Sequence, residues 1–384
     1  MKRTLFNELY KHLDKKQYTI LVGARQTGKT TLLRQLQQQA DEDGKHTYYF
    51  NLEHRDVLAL LNEAPQNLLR YMDADNQKQY VFIDEIQYLD DPSGFLKLIY
   101  DEYSDNIKII ATGSSAFYID RKFNDSLAGR KRIFRLGTCS FEEYLELADR
   151  GELLDEVRRI KDNKDAKSVR LAQIRAELED YIIYGGYPQV AAERNKDEKI
   201  YLLKELRDSY LHRDVYESGV VNSDNFYKLY TVLSAQTGSQ VNVSELSKAL
   251  RMTMDAVNNY LMILQKCFHI ALIKPFYRNV KKELVKSPKV YIMDTGMRNC
   301  MINYFPEHLG LMDDGALFEN AIFHMLSQKY DTEEIKYWRT ADQEEVDFDI
   351  YALKTKAAYE VKYNEAAVKA KKKDNHRDCP FFDE

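Results

Sequence analysis

Short apolar runs separated by amphipathic stretches fill the first third of the chain. Tyr18-Thr19-Ile20-Leu21-Val22, Thr47-Tyr48-Tyr49-Phe50-Asn51-Leu52, Tyr80-Val81-Phe82-Ile83 and Lys108-Ile109-Ile110-Ala111-Thr112 each predict a strand. Between the first two, Leu32, Leu33 and Leu36 recur at helical spacing, predicting a helix over residues 30–40, and a further helix precedes the third run. Strand and helix in alternation imply a parallel α/β sheet. From Ser140 the pattern becomes long, charged and helical, over residues 141–150, 152–161 and 168–184, until Gly185-Gly186-Tyr187-Pro188 ends the run. Helices over 226–236, 243–250 (with Ser244 as N-cap) and 253–268 then precede the strand-like Ile270-Ala271-Leu272-Ile273, which is winged-helix order. A helix over 317–330 follows. Strict alternation returns in Glu345–Tyr351 and Tyr359–Tyr363, predicting a hairpin.

At 384 residues the chain exceeds what one core usually serves, and 44% hydrophobic with 30% charged residues is a globular composition. No apolar run approaches the ~18 residues of a membrane span. The first residues, Met1 to Lys16, are charged throughout, which does not suit a secretory signal. Cys139, Cys267, Cys300 and Cys379 are widely spaced with no metal-binding pair, so a reduced, cytoplasmic protein without membrane association is expected.

The chemistry starts where the first strand ends. Gly23 to Thr30 reads G-A-R-Q-T-G-K-T, a complete P-loop pattern. Gly23, Ala24, Arg25, Gln26, Thr27, Gly28, Lys29, Thr30 and Thr31 are the candidate nucleotide-binding residues. Glycines let backbone N–H groups curl around phosphates, Lys29 reaches the β- and γ-oxygens, and the Thr30 hydroxyl ligates Mg²⁺. The third strand ends in Asp84 and Glu85, the Walker B arrangement. Asp84 would hold the hydrated Mg²⁺, and Glu85 would orient and deprotonate the attacking water. After the fourth strand, Thr112 or Ser114 is placed to contact that water or the γ-phosphate. Arg130, Arg132 and Arg135 cluster downstream. One of them, Arg130 being the candidate, would act on the γ-phosphate in cis or from a neighbouring subunit, the second case requiring a homo-oligomer.

On these motifs residues 1–140 resemble the AAA-like P-loop ATPases, in particular a prokaryotic group with G-x-R-x-x-G-K-T, a hydrophobic strand ending D-E, then T-G-S-S. Leu127 to Arg130 matches that group's L-x-G-R. The resemblance implies an additional-strand sheet and ATP rather than GTP.

Two features of the remainder point to a polymer. The wing region, Lys274 to Lys289, carries Lys274, Arg278, Lys281, Lys282, Lys286 and Lys289 against the single acid Glu283, a local excess suited to DNA phosphates. The net charge of −5 does not cancel it, because screening isolates patches beyond about 10 Å. The candidate recognition helix offers Asn258, Asn259 and Gln265 but few cations, so protein docking stands beside DNA contact. In the hairpin, Asp347 shares a strand face, and Glu360 with Lys362 shares the next. This is the D…E-x-K order in which Asp347 and Glu360 hold Mg²⁺ and Lys362 stabilises the attacking hydroxide, with Glu319 as a further ligand. The segments Gly185–Pro188, Lys286–Tyr291 and Asp294-Thr295-Gly296, with the hairpin, resemble the C-terminal domain of unknown function attached to these ATPases, which is associated with a PD-(D/E)XK nuclease-like fold.

The expected fold is α/β: a P-loop ATPase parallel sheet over 1–139, a helical lid or linker over 140–225, a winged helix over 226–289 and a nuclease-like α/β domain over 290–384. Three functions are open: an ATPase driving a DNA-associated half, an ATP-gated Mg²⁺-dependent nuclease, and a nucleotide-dependent signalling or scaffold switch that binds proteins.

Overall fold

The computed structural model describes residues 1–73, 77–113, 127–163, 167–277, 283, 286–310, 314–339, 345–352 and 355–362. Ser114, Arg278, Lys281 and Lys282 lie outside these residues. Two units emerge, Met1–Thr138 with Lys266–Phe268, and Cys139–Gln265 with His269–Glu384. Among the described residues no helix is long and apolar enough to cross a membrane.

The first unit is built on α1 (Phe6–His12), β1 (Tyr18–Val22), α2 (Lys29–Glu42), β2 (His46–Asn51), α3 (Arg55–Glu63), β3 (Gln79–Asp84), α4 (Pro92–Tyr103), β4 (Ile107–Gly113) and β5 (Lys131–Arg135). Its strands lie in the order β2-β3-β4-β1-β5, every neighbouring pair parallel. Because side chains alternate across a strand, the sheet fills two cores. Ile20, Val22, Val81, Ile83, Ile109 and Ala111 pack with Phe95, Leu96 and Ile99 of α4. Leu21, Phe82 and Ile110 pack with Leu9 of α1 and Leu32, Leu33 and Leu36 of α2. Covered on both faces, β1, β3 and β4 are buried along their whole length, which is why they read as continuous apolar runs. The edge strand β5 carries Lys131, Arg132 and Arg135, and its charge hid it from the apolar pattern.

The second unit opens with helices α5 (Phe141–Leu147), α6 (Gly151–Asp162), α7 (Leu171–Tyr184), α8 (Pro188–Ala192) and α9 (Lys196–Ser218). A 23-residue helix, α9, escaped the sequence pattern because its apolar residues are scattered around the axis. Then come α10 (Ser223–Ala235), α11 (Val243–Leu250), α12 (Met254–Lys266), and β6 (Ile270–Ile273) antiparallel to β7 (Lys289–Ile292). An extended bridge between Gln240 and Lys289 adds a third strand position to this ribbon. The N-cap of α11 is Asn242, not Ser244: the Asn242 side chain accepts from the Glu245 N–H. Finally α13 (Thr295–Ile302) and α14 (Gly315–Ser327) precede the antiparallel sheet of β8 (Ile335–Arg339), β9 (Glu345–Ala352) and β10 (Thr355–Tyr359). Strand β10 ends at Tyr359, so Glu360 and Lys362 follow the strand rather than alternate along it as expected.

Two motifs of the second unit interlock. Asp294 accepts from the N–H of Gly186 (2.8 Å) and, as N-cap of α13, from that of Met297 (2.9 Å). A Cβ on Gly296 would lie 1.9 Å from the Tyr184 carbonyl oxygen. The Gly-Gly and Asp-Thr-Gly segments are thus one packing joint.

Candidate functional site

The P-loop leaves β1 and enters α2 at the carboxyl edge of the sheet, the edge at which ligands bind in open α/β folds. Gly28 takes the left-handed conformation (φ 93°) as N-cap of α2, so the helix begins at Lys29 with its N-terminal N–H groups turned toward the loop. Gly23 is needed for a different reason. A Cβ there would lie 2.1 Å from the Leu136 carbonyl oxygen. The Lys29 ammonium donates to the carbonyls of Gly23 (2.9 Å) and Ala24 (2.7 Å), and the Thr27 hydroxyl donates to the Ala24 carbonyl (2.9 Å). Arg25 and Thr27 are buried, Thr30 is half-buried, and Gln26 and Thr31 are exposed.

Strand order brings the acids to this loop. β4 lies between β1 and β3, so Thr112 sits between the P-loop strand and Asp84. The Thr112 hydroxyl donates to Asp84 Oδ1 and accepts from the N–H of Glu85 (3.0 Å). The Tyr49 hydroxyl donates to Asp84 Oδ2 (3.0 Å), and burial followed by the Asp84 charge pushes its pKa up to about 12. Glu85 itself holds a left-handed backbone (φ 57°), uncommon for a non-glycine residue, and its carboxylate accepts from the Gln87 amide.

The donor set fits Mg²⁺, a hard cation taking oxygen ligands. Thr30 would offer a hydroxyl and Asp84 a carboxylate. Among the described residues no group of three or more His, Cys, Asp or Glu side chains is arranged to hold a metal.

The arginines separate by position. The Arg130 carbonyl accepts from the N–H of Tyr18, the first residue of β1 (2.8 Å), so Arg130 sits at the amino edge of the sheet, opposite the P-loop. Its guanidinium grips Asp101 (2.8 and 3.3 Å). Five strand residues at ~3.3 Å each separate the two edges, beyond an arginine's reach. Arg130 is thus held on Asp101 at the edge of the sheet away from the P-loop. Arg132 pairs with Glu8 (2.7 Å), whereas Arg135 stands in register with Val22, at the ligand edge.

In the second unit, beside the expected Asp347, Glu360 and Lys362, lies a lysine expected in the cationic wing. Lys289, almost fully buried, sends its ammonium to Glu345 (2.5 Å), Glu319 (3.1 Å) and Asp347 (3.8 Å). Burial opposes that charge, but Glu319, Glu345 and Asp347 outweigh it and raise the lysine pKa. Burial also raises the pKa of Glu319 and of Asp347. Asp347 Oδ2 accepts from the Val361 N–H (2.7 Å), and Lys362 pairs with Glu360 (2.9 Å). Asp347 thus faces the Lys289 ammonium and the Val361 N–H, while Glu360 pairs with Lys362. Lys289 likewise drops out of the cationic wing, while Lys274 and Lys286 are exposed. The exposed face of α12 presents Met254, Asp255, Asn258, Asn259, Met262 and Gln265.

Residues 15–145 match a family model described as an AAA domain. The first unit is similar to AAA domains over nearly its whole length and has a P-loop α/β fold. Residues 175–308 match a domain of unknown function (DUF8612), and residues 314–379 another (DUF4143). Uncharacterized protein MJ1544 of Methanocaldococcus jannaschii is 23% identical over 376 residues, covering 93% of this chain and 80% of that protein. Uncharacterized protein Rv2008c of Mycobacterium tuberculosis is 23% identical over 347 residues, covering 89% and 69%. Among solved structures, the Thermotoga maritima RuvB Holliday junction branch migration motor is similar with a TM-score of 0.36 at 15% identity, covering 70% of this chain and 88% of that one. The Aeropyrum pernix ORC1 protein in complex with DNA is similar with a TM-score of 0.30 at 14% identity, covering 84% and 93%.

Sequence reasoning missed Tyr49 and Gln87 in the first unit, because each lies in a run explained by its strand or turn. It put Lys289 in the cationic wing rather than among acids, and missed Glu345. The only available signal was their alternation within β7 and β9, which fixes a face but not what that face meets.

Proposed function

We propose that the chain is a Mg²⁺-dependent ATPase whose nucleotide cycle drives a DNA-binding winged helix, and that it does not cut DNA. The observation that carries the ATPase is the position of Thr112, bonded to both Walker B residues beside the P-loop strand. In this reading the P-loop backbone and Lys29 hold the phosphates, Thr30 and Asp84 take the cation, and Glu85, aimed by Gln87, receives the proton of the attacking water. Bound Mg²⁺ would neutralise charge on the phosphates. Arg135 is the cis candidate for the γ-phosphate. Arg130 would serve only from a second copy, after leaving Asp101.

DNA contact is supported by the order α10, Gln240 bridge, α11, α12, β6, β7, which is that of a winged helix, and by exposed Lys274 and Lys286 on the strand connection. Nuclease action is disfavoured by Lys289, whose ammonium already serves Glu319, Glu345 and Asp347 as counter-charge. A protein-docking switch is the second reading, favoured by the α12 face, which bears no cation outside Lys266 at its end.

The test joins phosphate release, DNA retention and strand scission in one set of samples: wild type, Lys29→Ala and Lys274→Ala/Lys286→Ala, with Mg²⁺ and ATP. Turnover lost in Lys29→Ala, salt-sensitive retention weakened in the double variant and intact DNA throughout are expected. Turnover by Lys29→Ala equal to wild type refutes the ATPase. Scission by wild type refutes the lysine-filled cluster as a non-cutting site.

A further inference from the structure

Arg3 lies far from the P-loop in sequence yet is buried against it. Its NH1 donates to the carbonyl of Thr27 at the loop crest (2.6 Å), and its NH2 donates to the carbonyls of Gly137 (2.9 Å) and Thr138 (3.2 Å). The segment carrying it is anchored along α2. Gln35 donates to the Met1 carbonyl (3.0 Å), Lys2 donates to Gln39 (3.0 Å), and Phe6 and Leu9 of α1 pack with Leu32, Leu33 and Leu36. The guanidinium is therefore delivered in a fixed place rather than by a free side chain.

Three features make this contact more than packing. The Thr27 carbonyl belongs to the same peptide group as the Gly28 N–H, so a cation on the oxygen polarises a donor that faces the phosphate cradle. The loop is also held at its other end: Leu136 donates its N–H to the Val22 carbonyl (2.8 Å), and its own carbonyl abuts Gly23. The P-loop is thus stitched at both ends to residues 136–138. Thr138 ends the first unit's main segment, and at Cys139 the chain passes into the second unit.

We propose that Arg3 is a positioning residue that senses nucleotide at the P-loop crest and transmits it to Gly137 and Thr138, the exit of the first unit. The inference rests on the ATP-binding reading above. When phosphates draw the crest N–H groups and Lys29 inward, the Thr27 carbonyl moves with its peptide, and the planar guanidinium carries that displacement to the exit because one fork grips both. A lysine in its place is a single point charge and grips one carbonyl set at a time.

The full-length chain tests this as wild type, Arg3→Ala, Arg3→Lys and Lys29→Ala, by ATP titration and by hydrogen exchange of the peptide spanning residues 135–139 with and without ATP. Wild type is expected to bind ATP and to change exchange in that peptide on binding. Arg3→Ala should bind about 10-fold more weakly, and both Arg3 variants should lose more than half of the ATP-induced exchange change. Arg3→Lys keeps a cation at this place, so it reports on coupling even where Arg3→Ala fails to fold. An Arg3→Lys variant whose exchange response matches wild type overturns the proposal, as does Arg3→Ala with both wild-type affinity and response. If wild type binds no more ATP than Lys29→Ala, the ATP reading itself falls, and this inference with it.

Discussion

Replacing Thr112 by valine removes one hydroxyl and almost no volume, and so isolates the hydrogen bonds that hold the Walker B acids. Thr112 is fully buried, donates to Asp84 and accepts from the Glu85 N–H at 3.0 Å. A hydrogen bond to a charged group contributes about 1.5 to 3 kcal/mol, and a stranded buried N–H costs roughly 1 to 3 kcal/mol. The two effects share one hydroxyl and will not add fully, so Thr112→Val should lose about 2 to 4 kcal/mol of stability. Tyr49 still holds the other Asp84 oxygen, so the carboxylate loosens rather than swings away. Each 1.4 kcal/mol of lost transition-state alignment slows turnover about tenfold, so a fall of roughly 10- to 100-fold in phosphate release is expected. Urea unfolding gives the stability, and kcat is measured on the fraction folded. Thr112→Ser, which keeps the hydroxyl, should recover most of both losses. A Thr112→Val protein within about 0.5 kcal/mol of wild type and with turnover within about twofold would refute the network as what holds Asp84.

Three further outcomes follow from the geometry. Gly23→Ala places a Cβ against the backbone oxygen of Leu136, which no rotamer change relieves, so a loss of about 3 kcal/mol or more is expected in thermal unfolding. His12, buried and bonded to Thr19 (2.8 Å), has its pKa lowered by burial and by the Lys108 charge from an ordinary 6.5 to about 4. Because the unfolded chain takes up that proton first, stability present above pH 6.5 should be lost as pH falls toward 4, by up to about 3 kcal/mol, and His12→Gln should flatten this part of the urea-midpoint profile. Lys289→Met leaves Glu319, Glu345 and Asp347 facing one another without their cation, a loss of about 3 to 5 kcal/mol by urea unfolding. Adding Glu345→Gln should restore part of it, and no restoration would show that the ammonium does not neutralise this cluster.

The chain by itself determined the α/β character of the first unit, the P-loop and its two acids, because those depend on local rules. A strand covered on both faces must be apolar, and a loop that wraps phosphate must contain glycine. The three helices over residues 223–266 and the strand after them were legible for the same reason, to within a few residues at each end. What the sequence left open is everything that depends on which elements become neighbours. Strand order put Thr112 and Tyr49 on Asp84 and sent Arg130 to the wrong edge for its own P-loop. The burial of Lys289 put an ammonium among Glu319, Glu345 and Asp347, on the face expected to hold a metal. Arg3 reached the phosphate loop across 24 positions of chain. Residue type and spacing fix a face and a period, while charge pairing across elements is a property of distance in space, and only the tertiary structure supplies that distance.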